Sequence, residues 1–274
     1  LEVTAVDADE ITAAIASYNL APFGDAVTVR HGTAEDADLS DIDGVWLDPA
    51  RRTAGHSETT RTRSEDWSPS LDWAFDLALR MPTGIKLGPG FDRTQIPDSV
   101  EAQWISVDGS TIELVLWSGT LARPGVTRAA LVIHGGTAHE LTAPGDAEDV
   151  DVRPLGAFLH EPAGAVIRAR LIGDLARRIG GRMLDPTIAW ITADDPPGNA
   201  DAPFGQLFRV RERFPVDVKT LKRELSARGV GTLEIKKRGV DVDPAAFRKR
   251  LALEGAESAT LILTRIGGER AALL

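Results

Sequence analysis

The stretch Asp43-Gly-Val-Trp-Leu-Asp-Pro-Ala-Arg-Arg52 constrains the fold more than any other part of this chain. An apolar run that ends in an acid and then in Asp-Pro is how a doubly wound α/β sheet carries a polar group to the carboxyl edge of a buried strand, where ligands sit. Asp48 lies 41 positions after Asp7, which closes the strand-like Val3-Thr-Ala-Val-Asp7. Two acids ending two apolar strands, with a helical pattern between them, point to a nucleotide-type α/β fold.

The intervening residues support that reading. Glu10–Asn19 has helical spacing, with Ile11, Ala14, Ile15 and Tyr18 on one face and Asp9 placed to cap it. Ala26–Arg30 reads as a second strand, Thr33–Leu39 as a short acidic helix or turn, and Gly44–Leu47 as a third strand. This alternation builds a parallel sheet through crossover connections. The pattern is expected to start inside such a fold, after a first strand, Gly-rich turn and helix.

Thr53–Ser68 is polar and aperiodic, placed directly after Asp48 where a lid or substrate loop would sit. Pro69–Arg80 is an amphipathic helix with Leu71, Phe75, Leu77, Ala78 and Leu79 toward the core, and Gly84–Leu87 a fourth strand stopped by Gly88-Pro-Gly90. Gln103–Val107, Ile112–Trp117 and Ala129–Ile133 follow in meander spacing, with turns at Asp108-Gly109 and Pro124-Gly125. Ala143–Arg153, rich in Pro, Gly and acids, is a boundary. Pro162–Ile179 reads as one helix ended by Gly180-Gly181. The last segment reads as strand (Gln206–Arg211), helix (Val218–Arg228), strand (Gly231–Lys237), helix (Asp243–Leu251) and strand (Ala259–Ile266). The expected division is 1–150, a connecting helical segment 151–204, and a small α/β domain 205–274.

At 274 residues, 43% hydrophobic and 26% charged, the composition is that of an ordinary soluble globular protein. No apolar run approaches the roughly 20 residues that span a bilayer. The absence of Cys excludes disulfides, thiolate metal sites and thiol nucleophiles. The net charge of −10 is unevenly spread: residues 205–274 carry 15 Lys/Arg against 9 Asp/Glu, whereas residues 1–204 carry 16 against 32. An acidic body with a basic terminal domain suggests nucleic-acid contact.

Val3-Thr-Ala-Val-Asp7, Gly32-Thr-Ala-Glu-Asp36, Trp46-Leu-Asp-Pro-Ala-Arg-Arg52 and Gly84-Ile-Lys-Leu-Gly-Pro-Gly90, in that order, resemble class I S-adenosylmethionine-dependent methyltransferases. The chain is similar in particular to the bacterial group with a C-terminal THUMP-like domain. That narrower resemblance rests on His160-Glu-Pro-Ala-Gly-Ala-Val-Ile-Arg168, Leu233-Glu-Ile-Lys-Lys-Arg-Gly239, Asp243-Pro-Ala-Ala-Phe-Arg-Lys-Arg-Leu251 and Leu261-Ile-Leu-Thr-Arg265. It implies an α/β fold: a Rossmann-like methyltransferase sheet, lacking its first βα unit, followed by a small THUMP-like domain.

The resemblance implies S-adenosyl-L-methionine as cofactor. Asp7 matches the acid that holds the ribose hydroxyls, and a carboxylate accepts two such hydrogen bonds at once. Ala34, Glu35 and Asp36 match the loop beside the adenine, where Glu35 or Asp36 accepts from its amine. Asp48 and Pro49 fall where amino-methylating relatives carry Asp/Asn-Pro-Pro-aromatic, and there the acid and a backbone carbonyl orient the acceptor, which is catalysis by positioning. Ala50 and Arg51 depart from that pattern. The covalent route to carbon 5 of uridine, found with a related Asp-Pro-Pro-Arg, needs a cysteine this chain lacks, so nitrogen or oxygen is the expected acceptor.

Arg51 and Arg52 are suited to bidentate phosphate contact, and Lys86 is a weaker candidate. Lys236, Lys237 and Arg238 are the expected RNA-binding cations of the tail, since THUMP domains bind RNA. His134-Gly-Gly-Thr-Ala-His139 fits neither a lipase turn nor a metal pair, so no metal is expected. The expected protein is a cytoplasmic methyltransferase acting on tRNA or rRNA. An RNA-binding protein without catalysis and a small-molecule or protein methyltransferase stand as alternatives.

Overall fold

The computed structural model describes residues 1–51 and 67–274, so the loop expected over Thr53–Ser68 lies almost wholly outside the described residues. Contacts group the chain into two units, Leu1–Ala102 with Glu113–Thr127, and Gln103–Ile112 with Arg128–Leu274.

In the first unit, β1 (Val3–Asp7), α1 (Glu10–Leu20) and β2 (Val27–His31) form a strand–helix–strand crossover. β1 and β2 are parallel, in register from Val3 opposite Val27 to Asp7 opposite His31. Asp9 caps α1 as its sequence position requires, accepting a 2.8 Å hydrogen bond from Thr12 N. The expected apolar face of α1 is not buried: Ile11, Ile15 and Tyr18 are exposed, and Ala13 is the buried residue of the helix. The stripe faces away from the strands to which the helix is joined, and no described residue covers it.

β3 (Val45–Leu47), β4 (Ala50–Arg51), β5 (Trp67–Ser68), α2 (Leu71–Arg80) and β6 (Thr83–Leu87) follow. β3 and β6 are parallel neighbours, with Leu47 opposite Ile85, while β4 folds back antiparallel to β5. Ser70 caps α2, which buries Leu71, Ala74, Leu77 and Ala78; Leu79, expected inward, is exposed. β7 (Glu101–Val107) and β8 (Ser110–Trp117) flank the Asp108-Gly109 turn, whose two residues have the positive φ such a hairpin needs. β8 runs antiparallel to β6, so the parallel pair is finished by an antiparallel strand as expected. The buried carboxylate of Glu101 is met by Arg123 through its backbone N–H at 2.9 Å and its guanidinium.

The second unit contains the hairpin of β9 (Arg128–His134) and β10 (Thr137–Ala143), turned by Gly135-Gly136. A four-stranded antiparallel sheet follows: β11 (Phe158–Pro162), β12 (Arg182–Asp185), β13 (Ile188–Ala193) and β14 (Gly205–Arg209), in the order β12-β13-β11-β14. Residues 151–204 thus carry three strands, β11, β12 and β13, beside the helices of this segment. The helix expected over Pro162–Ile179 is two short ones, α3 (Gly164–Arg168) and α4 (Ile172–Arg178), because Arg170 adopts φ 60° between them.

The remainder is β15 (Arg213–Phe214), α5 (Val218–Ala227), β16 (Val230–Lys237), α6 (Pro244–Leu251), β17 (Glu257–Ile266) and β18 (Glu269–Leu273). The sheet order is β15-β18-β17-β16, with β16 and β17 parallel across α6. Alternation along β17 divides two cores. Leu261 and Leu263 join Leu221, Leu225, Phe247 and Leu251 from the helices, whereas Ile262 packs with Leu159, Leu184 and Trp190 from the β11–β14 sheet. At the open end of the parallel pair, a Cβ on Gly231 would lie 1.9 Å from the Gly255 carbonyl oxygen, so two glycines let the backbones cross there.

Candidate functional site

The two acids singled out by the sequence end parallel strands of the first unit. Asp7 closes β1, and its Oδ1 accepts from Asp9 N at 2.8 Å. Helix capping falls to Asp9, whose carboxyl pKa is lowered by the backbone and hydroxyl hydrogen bonds from Thr12. Asp7 therefore keeps Oδ2 without a partner among the described residues, as a carboxylate that receives hydroxyls from a ligand must. After β2 the chain turns sharply. Thr33 Oγ1 donates to Asp36 Oδ2 at 2.7 Å, and Ala37 N donates to Ala34 O at 3.3 Å. Of the two acids in this loop, Asp36 is engaged by Thr33, while Glu35 is exposed with no partner among the described residues.

Asp48 follows β3 directly. The rung beyond Leu47–Ile85 brings it opposite Lys86 of β6, and Lys86 Nζ donates to Asp48 Oδ2 at 2.7 Å. Both partners stay accessible, with side chains 39% (Lys86) and 58% (Asp48) exposed. The hydrogen bond to Asp48 raises the Lys86 pKa, against a smaller opposing effect of partial burial. The pair is thus an ammonium and a carboxylate presented together at the carboxyl edge of two parallel strands. Pro49 is buried and fixes where the chain leaves that edge, and the Arg51 backbone then pairs with Trp67. Arg52 and the Arg51 side chain lie outside what the structure describes.

Two features here were missed by the sequence reading. Lys86 was placed as a weak phosphate contact, yet it meets Asp48. Register also aligns Trp46, Gly84 and Trp117 across β3, β6 and β8, with the indole centroids 5.5 Å apart. A Cβ on Gly84 would come within 2.7 Å of the Trp46 ring, so the glycine makes room for the two indoles. A glycine inside a strand pattern was the available signal.

In the second unit, the tail cations divide by strand face. Lys236 Nζ contacts Glu161 Oε2 at 2.9 Å, and Arg238 lies 3.5 Å from Glu161 Oε1. Their cationic groups also sit over the rings of Phe208 and Trp190. This face of β16 looks onto the β11–β14 sheet, so Lys236, expected among the RNA-binding cations, is engaged there by Glu161. Lys237 shares its face with Leu233 and Ile235 and is exposed, with no partner among the described residues. No group of three or more His, Cys, Asp or Glu among the described residues is placed to hold a metal ion. No described helix is long and apolar enough to cross a membrane.

The model of the THUMP domain-like family matches residues 205–274. An uncharacterised S-adenosylmethionine-dependent methyltransferase of Mycobacterium tuberculosis, found in two strains, is 34% identical over 269 residues, which is 95% of this chain and 70% of the relative. The crystal structure of a candidate methyltransferase from Porphyromonas gingivalis superposes with a TM-score of 0.75 at 20% identity, over 99% of this chain and 70% of that one; at that identity the likeness shows the fold. With two acid-ended parallel strands, an antiparallel finish and a relative of this closeness, the chain belongs to the S-adenosylmethionine-dependent methyltransferases and ends in a THUMP-like domain.

Proposed function

We propose that the protein methylates RNA, tRNA or rRNA, at a nitrogen or oxygen, in the cytoplasm, with residues 1–150 supplying the chemistry and 205–274 presenting the substrate. The observation that carries the RNA assignment is the match of a THUMP-like domain to a basic terminal part of a chain that is acidic as a whole.

The residues fit S-adenosyl-L-methionine by their chemistry: Asp7 keeps a carboxylate oxygen without a partner at the strand edge, and Glu35 and the Ala34 backbone follow in the next loop. When bound, the cofactor supplies a methyl group on a positively charged sulfur. Asp7 accepts ribose hydroxyls, and Glu35 accepts from the adenine amine. Asp48 and the Pro49 carbonyl accept hydrogen bonds from the acceptor group and fix its lone pair in line, so the demand is on positioning rather than on strong acid–base groups. Lys86 orients Asp48 through the 2.7 Å contact. Arg51 and Arg52 bind phosphate next to the acceptor, and Lys236, Lys237 and Arg238 mark the tail's part in RNA binding, with Lys237 the exposed member.

The test is methyl incorporation from labelled S-adenosylmethionine into total RNA prepared from cells lacking the gene. Labelling confined to one RNA species is expected. Asp48→Ala should lower incorporation by about 100-fold or more, the scale of a lost positioning group. Unchanged incorporation by that variant would remove Asp48 from the reaction. Labelling of small molecules or protein alone would remove the RNA assignment.

A further inference from the structure

The β15–β18 sheet has both faces covered, by α5 and α6 on one side and by the β11–β14 sheet on the other. The cations of β16 that face the β11–β14 sheet are already matched, Lys236 and Arg238 by Glu161. Exposed cations remain elsewhere in the domain, at Arg209, Arg211, Lys237 and Arg270, but the largest group of them lies on the helices. α5 and α6 together carry Lys219, Lys222, Arg223, Arg248, Lys249 and Arg250 against a single acid, Glu224.

Lys222, Lys249 and Arg250 are exposed and have no partner among the described residues, Lys219 is exposed with Asp217 near enough to feel its charge, and Arg223 shares Glu224 with Arg228. The neighbouring acids Asp217 and Asp243 accept the capping N–H groups of Thr220 and Ala245, at 2.7 and 2.9 Å. Helix stability accounts for only part of this distribution. Cations favour the carboxyl end of a helix and disfavour its first turn. The three of α6 fall in its last turn, as that rule allows, but Lys219 stands in the first turn of α5. Phe247, the aromatic residue of α6, is buried, so the layer offers charge without a ring on which a base stacks.

We infer that the outer face of the α5–α6 layer, together with Lys237 at the end of β16, is the surface on which the THUMP-like domain holds RNA, gripping phosphates rather than reading bases. This rests on the RNA reading above and replaces the strand-centred contact expected from the sequence with a helix-centred one. Its partner is a folded RNA recognised by backbone charge. Each phosphate contact then releases about 0.7 to 0.9 counterions, and the logarithm of affinity falls linearly with the logarithm of salt concentration.

The experiment is fluorescence anisotropy of labelled bulk tRNA with the whole chain across a potassium chloride series. The wild type is compared with Lys219→Gln/Lys222→Gln/Lys249→Gln/Arg250→Gln and with a strand variant, Arg209→Gln/Arg211→Gln, two exposed cations at the end of β14 and just beyond it. The four helix changes should lower the salt slope by about 3, and Lys249→Gln/Arg250→Gln alone by about half of that. The strand variant should keep more of the wild-type slope. A helix variant that keeps its thermal midpoint and the full wild-type slope overturns the assignment of the face while leaving RNA binding intact. A wild type whose anisotropy does not respond to tRNA at low salt overturns the RNA reading itself, and this surface with it.

Discussion

Two of the parallel strand–helix–strand crossovers among the described residues, β1–α1–β2 and β16–α6–β17, match closely in local design and differ in burial. In both, an Asp caps the helix: Asp9 for α1 and Asp243 for α6. In β16–α6–β17 the helix inserts Phe247 and Leu251 into a core shared with α5, and β17 is covered on its other face as well. In β1–α1–β2 the helix buries Ala13 and leaves Ile11 70% and Tyr18 83% exposed. The elements form in both places because capping, period and strand pairing are local. Only the second has the packing that turns local structure into cooperative stability.

The comparison can be broken most sharply in the packed crossover. Leu251→Ala removes a fully buried side chain and should cost about 3 kcal/mol in global stability, read by denaturant unfolding. A cost near zero would mean that this core carries little of the fold.

The next largest effect comes from His160 on β11, which is 2% exposed and has neither ring nitrogen hydrogen-bonded within the described residues. Burial holds its pKa down to about 4, from an ordinary value of 6.5, against the opposing pull of Asp201 and Glu161. Between those two pH values the unfolded chain takes up a proton that the folded chain refuses, so stability falls as pH drops from 6.5 toward 4 and this contribution levels off below. The loss amounts to about 3 kcal/mol. His160→Phe should flatten that part of the stability–pH curve, and an unchanged slope would place the pH sensitivity elsewhere.

Smaller effects are expected in the exposed crossover. Asp9→Ala should speed amide hydrogen exchange across the first turns of α1 while leaving the global midpoint in place. Ile15→Ala should change global stability by less than about 0.5 kcal/mol, as substitution of an accessible side chain does. A loss comparable to that of Leu251→Ala would mean that the α1 stripe is covered in solution and that the two crossovers are alike.

The sequence made legible what depends on near neighbours. Asp9 as a cap, the strands ending at Asp7 and Leu47, the Asp108-Gly109 turn and the placing of α6 between two strands all follow from period and turn chemistry. What it hid depends on register and on the opposite face. The ion pair between Asp48 and Lys86 joins residues 38 positions apart and exists because β3 and β6 are parallel with Leu47 opposite Ile85. The inward turn of Lys236 needed Glu161, 75 positions away, on a sheet that the sequence presented as a helical connector. β11 escaped notice because its His-Glu-Pro ending looks unlike a strand, and β18 because Gly267-Gly268 turns the chain immediately back into its pairing. The α1 stripe shows the converse: periodicity identified the helix and gave no information on what, if anything, covers it.

The indole of Trp46 stands over Gly84 two positions before Asp48 and is 53% exposed, whereas Trp104 and Trp190 are wholly enclosed. The protein therefore has a native optical reporter beside its Asp48–Lys86 pair, set against a blue-shifted background from the enclosed indoles. Polarity changes at that strand edge should register in the red side of the emission band without any label.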